Sequence, residues 1–169
     1  TLFVLILFKF LNLQKEKSFI RNAFSHYLST DVINELLVDP EKLNLGGEKK
    51  HLTAMFTDVR GFSTVSEVLD PTDLVKLLNA YLTEMSNIIL DLQGTIDKYE
   101  GDAIIAFWNA PLEQPDHAVC CVRAALRCQA KLAQMRPEFR KSLGKDLNMR
   151  IGINTGYAVV GNMGSSTRF

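Results

Sequence analysis

The chain has 169 residues with 19 Lys plus Arg against 19 Asp plus Glu, so its formal net charge is zero. That length suffices for one domain with a sizeable core, and the charge balance supplies no basic field that would draw nucleic acid. Cys120, Cys121 and Cys128 crowd one predicted helix without a CxxC spacing, which reads as buried, reduced thiols and favours a cytoplasmic compartment.

Residues 1–13, TLFVLILFKFLNL, are almost wholly apolar, with Lys9 inside the run and Lys15 and Lys17 behind it. A bilayer needs about 20 apolar residues, and a signal peptide carries its positive charge before the apolar run. The stretch therefore reads as the end of a transmembrane helix that begins before Thr1, with trailing lysines that place the following domain on the cytoplasmic side of the membrane. An amphipathic or core helix is the other reading of so short a run. Residues 14–45 form the expected linker. Leu13, Ile20, Phe24 and Tyr27 recur at helical spacing, which suits a transducing helix that pairs with its copy. Ser29 and Thr30 can cap a short helix over DVINELL. Pro40 and Gly46-Gly47 break the pattern, so the main domain is placed at 46–169.

HLTAMFTDV has the apolar character of a central strand. Pro71 opens a helix whose Leu74, Leu78, Tyr81, Met85, Ile88 and Leu92 mark one face at steps of three and four. GTIDKYE and AIIAFW flank Gly101-Asp102 and predict a β-hairpin. Pro115 and Asp116 open a further helix through about Met135, with Ala118, Val122, Ala125 and Leu126 inward. NMRIGIN and YAVVGN predict a second hairpin around Thr155-Gly156. The resulting order is β-α-β-β-α-β-β.

In a split β-α-β unit the first two strands run parallel with room for the third between them. The end of the first strand and the tip of the hairpin then share one edge of the sheet. Asp58 and Asp102, 44 residues apart in sequence, become neighbours in space. Two close carboxylates call for a cation or proton between them. Magnesium, a hard ion that takes carboxylate oxygen and keeps places for phosphate, suits them, and a pair of such ions suits nucleotidyl chemistry. The Val59 carbonyl can add a ligand. Two unrelated turn acids would look the same at this level. Lys98, near the end of an apolar strand, either donates hydrogen bonds to a ligand or guards a strand edge. His26, His51 and His117 stand apart in sequence and read as surface or packing residues.

FTDVRGFSTVSE, GTIDKYEGDAIIAFWNAP, DHAVCCVRAAL and MRIGINTGYAVVGNMGS together resemble the catalytic domain of class III nucleotidyl cyclases, above all bacterial membrane-anchored adenylate cyclases. The resemblance runs from about Leu43 to the end. It implies an α+β, ferredoxin-like βαββαβ fold, an antiparallel sheet with helices on one face, preceded by an N-terminal helix. It implies that Asp58 and Asp102 carry the catalysis by holding two Mg2+ or Mn2+ ions, with Val59 as a further metal ligand. Lys98, Gly61 and Phe62 are assigned to the substrate, with Lys98 reading adenine where guanylate cyclases usually carry a glutamate. Lysine can donate to adenine N1, whereas guanine presents a donor there.

The implied reaction turns ATP into cyclic AMP and pyrophosphate at the interface of a homodimer, in signal transduction. A non-catalytic dimerising or nucleotide-sensing module is the alternative. A diguanylate cyclase is disfavoured because YEGDA fills the turn where its GG-D/E-EF signature would lie. The family continues beyond GNMGSSTRF into a second base-recognising residue, an asparagine and an arginine. The catalytic domain is therefore expected to lack its C-terminal part here, and this chain alone to be inactive.

Overall fold

The computed structural model describes residue 33, residues 46–144 and residues 146–162. Apart from Ile33, which is helical and buried, the expected membrane-helix end and linker helices lie outside the described residues. No helix among the described residues is long and apolar enough to cross a membrane. Glu48–Val160 make one compact unit, and the remaining residues are assigned to another.

The elements run β1 (Gly46–Val59), α1 (Phe62–Val68), α2 (Pro71–Asp91), β2 (Thr95–Glu100), β3 (Ala103–Trp108), α3 (His117–Leu143) and β4 (Met149–Asn162). The sheet order is β2-β3-β1-β4. Both β1 and β2 pair antiparallel with β3, so β1 and β2 run parallel with β3 between them. That is the split arrangement expected from the sequence. α2 starts where chemistry favours it: the Asp70 side chain accepts the Thr72 amide at 2.8 Å, and Pro71 takes the first helical position.

Alternate strand residues face the helices. Met55 and Val59 of β1 and Ile104, Ala106 and Trp108 of β3 join Tyr81, Met85 and Ile89 of α2 and Cys121, Ala124, Cys128 and Leu132 of α3 in one core. The intervening residues Ala103, Ile105 and Phe107 are half-buried, and Phe56 is 55% exposed. The sheet thus has one covered face and one open face.

β2 breaks its own alternation. Ile96 pairs with Ala106 and Lys98 with Ile105, so Asp97 is the extra residue of a β-bulge. Ile96 is buried, and Tyr99 reaches Ser86 of α2 through its hydroxyl at 2.9 Å. A regular strand would turn Lys98 to the same side as Ile96. The bulge turns it instead to the open face, in one row with Ile105 and Phe56.

Four expectations are corrected. NMRIGIN and YAVVGN form one continuous strand, because β1 runs beside them and Thr53 bonds Thr155 hydroxyl to hydroxyl at 2.8 Å. α1 is an additional short helix. α3 extends past Met135 to Leu143, with Leu132 and Phe139 buried on either side of Pro137, and ends at left-handed Gly144, whose amide reaches the Arg140 carbonyl at 2.9 Å. Its inward face is also rotated. Cys120, Cys121, Ala124 and Cys128 take the core side with Ala125, while Ala118 is exposed and Val122 and Leu126 are 47% and 66% exposed. Small side chains on that face let the helix lie close to the sheet.

Candidate active site

β1 delivers Thr57, Asp58 and Val59 to the edge where the β2–β3 hairpin turns. Thr57 is buried, and its hydroxyl accepts the Ile104 amide of β3 at 3.0 Å. The Arg60 amide then donates to the Asn148 carbonyl at 2.8 Å, which pins the start of β4 beside the end of β1. Gly61, with φ 72°, turns the chain into α1. Phe62 opens that helix and packs half-buried against the core.

Across the edge, Gly101 has φ 64°, and its left-handed turn presents Asp102. Asp102 is only 9% exposed, and its Oδ2 accepts the Val59 amide at 2.7 Å. The backbone bond ties the hairpin tip to the residue next to Asp58, so Asp58, Val59 and Asp102 meet at one place. Beneath them lies fully buried Tyr81, which donates to Met149 Sδ at 3.0 Å. Burial chiefly pushes the Tyr81 phenol up, a hydrogen bond with Thr57 pulls the other way, and the charges of Asp102 and Asp58 add to the rise. Tyr81 therefore stays a neutral donor under the carboxylates.

Asp58 is half-buried and carries an ion pair the sequence reading missed. Arg150 of β4 donates its Nε to Asp58 Oδ2 at 2.9 Å, and its Nη2 bonds the same oxygen. Backbone register accounts for the pair: once the Asn148 carbonyl lies against the Arg60 amide, antiparallel pairing sets position 150 opposite position 58. Lys98 stands apart from the two acids. It lies exposed on edge strand β2, and its ion-pair partner is Asp97 at 3.4 Å.

The donor set fits a hard divalent cation. Two carboxylates and a backbone carbonyl supply oxygen, the ligand type that Mg2+ and Mn2+ take. Among the described residues no group of three or more His, Cys, Asp and Glu offers a competing centre. The histidines serve packing: His117 Nδ1 meets Thr53 Oγ1 at 2.7 Å, and His51 stands edge-on to His117 with centroids 5.6 Å apart. His26 lies outside the described residues.

Residues 47–169 match the family model described as the adenylate and guanylate cyclase catalytic domain. Adenylate cyclase 1 of Rhizobium meliloti is 33% identical over 149 residues, which cover 86% of this chain and 22% of that protein. The chain thus spans about a quarter or less of that relative's length. Among solved structures, the adenylyl cyclase CyaB from P. aeruginosa is 42% identical with a TM-score of 0.71, covering 73% of this chain and 65% of that one. The guanylyl cyclase Cya2 is 40% identical with a TM-score of 0.68, covering 73% and 63%.

Proposed function

Because the chain belongs to the adenylate and guanylate cyclase catalytic-domain family, we propose that it serves as an adenylate cyclase, converting ATP to 3′,5′-cyclic AMP and pyrophosphate. The observation that carries this reading is the bond from the Val59 amide to Asp102, which brings two carboxylates and a carbonyl to one edge of the sheet. Asp58, Asp102 and the Val59 carbonyl would hold two Mg2+ or Mn2+ ions, which supply activation of the attacking 3′-hydroxyl and stabilisation of charge on the phosphates. Asp102 is kept in place by its backbone donor, and Tyr81 supports the floor of the site without ionising.

Similarity alone does not separate the two purine nucleotides, since an adenylyl and a guanylyl cyclase match almost equally. Lys98 supports ATP. An ammonium donates to adenine N1, whereas guanine presents a donor at that edge and suits a carboxylate. The bulge at Asp97 aims Lys98 at the open face, where a nucleotide held by a second copy could be met. Gly61 and Phe62 line the turn after Asp58 and are assigned to the same substrate. The apolar run at residues 1–13 supports a membrane-anchored protein with this domain in the cytoplasm; recovery of the full-length protein in the soluble fraction would sink that placement.

The test of the chemistry is Asp58→Asn and Asp102→Asn in the full-length protein, assayed for cyclic AMP with ATP and either ion. Each is expected to lower turnover by about 10²–10³ or more, the usual cost of removing one preorganised charged group, with the fold intact by circular dichroism. Near-normal turnover by either variant overturns the two-carboxylate assignment. The alternative, a non-catalytic pairing module, draws on the ion pair that Lys98 makes with its neighbour Asp97, and predicts no cyclic AMP from the unaltered protein.

A further inference from the structure

We infer that Arg150 is a counter-ion for Asp58 in the absence of metal and that a divalent cation competes with it for Asp58. The inference rests on the two-carboxylate reading above. Arg150 is held opposite Asp58 by the backbone: the bond from the Arg60 amide to the Asn148 carbonyl fixes where β4 begins, and both side chains then emerge on the open face of the sheet. Two donors of one guanidinium converge on a single carboxylate oxygen, Asp58 Oδ2.

Asp102 differs. Its Oδ2 is spent on the Val59 amide, a neutral donor that orients the carboxylate without cancelling its charge. One acid of the pair is thus already neutralised by a cation and the other is not. A divalent ion shared by both would place like charge against the guanidinium, so the two cations exclude one another at Asp58. In the Arg150–Asp58 pair the arginine is exposed and the aspartate half-exposed, and a pair this open to solvent is weakly held and readily exchanged. It lowers metal affinity without blocking the site, and it spares Asp58 and Asp102 from mutual repulsion when no metal is present.

The experiment titrates full-length protein with Mn2+ in the absence of nucleotide, reading free Mn2+ by electron paramagnetic resonance. Arg150→Gln is expected to bind Mn2+ about 2–5-fold more tightly than the unaltered protein, the scale of one exposed ion pair. Asp58→Asn and the double variant D58N/R150Q should both bind far more weakly. Unchanged or weaker binding by R150Q overturns the inference. Binding by D58N/R150Q as tight as by R150Q would mean the ion does not use Asp58, and the carboxylate reading would fall along with the inference. A second measurement holds even where R150Q folds poorly. The Arg150 15Nε–H signal of the unaltered protein, assigned with R150K, should move toward that of an unpaired guanidinium as Mg2+ is added. A signal that stays put at saturating Mg2+ overturns the displacement.

Discussion

Cys121 and Cys128 sit fully buried on the core side of α3, and burial pushes each thiol up to about 12. Both therefore remain protonated and inert at neutral pH. Native protein at pH 8 is expected to leave these two thiols unmodified by a disulfide dye that reacts with them at once in denaturant; fast native reaction would show the α3–sheet interface open. A thiol whose pKa is raised by folding gives stability that is whole below the ordinary thiol range and drains away as pH climbs toward about 12.

Under the proposed function, Lys98 is the residue on which base choice would turn. Lys98→Glu should lower kcat/KM for ATP by about 10²-fold or more, because a base site that loses its donor leaves polar groups unpaired; unchanged ATP kinetics would return Lys98 to guarding a strand edge. The meeting of Asp58 with Asp102 was legible in the sequence, because the split strand order puts the end of β1 beside the β2–β3 turn. Arg150 was not. Its partner lies 92 residues away, and the expected turn at Thr155-Gly156 hid the long pairing that sets the two opposite one another.

Between α2 and β2 the chain passes through Gly94 with no room to spare. A Cβ there would stand 2.7 Å from Ile89 Cγ2 and 2.7 Å from Trp108 Cζ2. Both neighbours are fully buried, so neither can move cheaply. Gly94→Ala is expected to cost about 1–3 kcal/mol, seen as a lower urea midpoint at unchanged slope; a midpoint equal to the parent's would mean that the α2–β2 corner yields. Element type was readable where one signal ruled. The α2 period and the β2–β3 turn each had a single reading. The α3 face did not, because Val122 and Leu126 are larger and more apolar than the cysteines and alanines that occupy the core. The bulge at Asp97 was equally hidden: nothing in TIDKYE announces an extra residue, and only the pairing with β3 reveals it.

At the scale of the molecule, the open sheet face carries Phe56, Ile105 and Lys98 in one row and the carboxylates at one end, with β2 at the outer edge. Lys98 on edge strand β2 and Asp58 at the end of β1 are offered as separate pieces, each held by its own strand. The consequence belongs to mixed populations. Under the proposed pairing of two copies, Asp58→Asn and Lys98→Glu damage different halves of each site. Two silent variants, mixed and allowed to exchange, should regain about a quarter of parental activity, since half of the pairs are mixed and each of those holds one intact site in two. Activity that stays at background would place every essential group within a single copy. In a cell the same arithmetic makes the two lesions complementary alleles: two genes, each inactive alone, together supply a working enzyme.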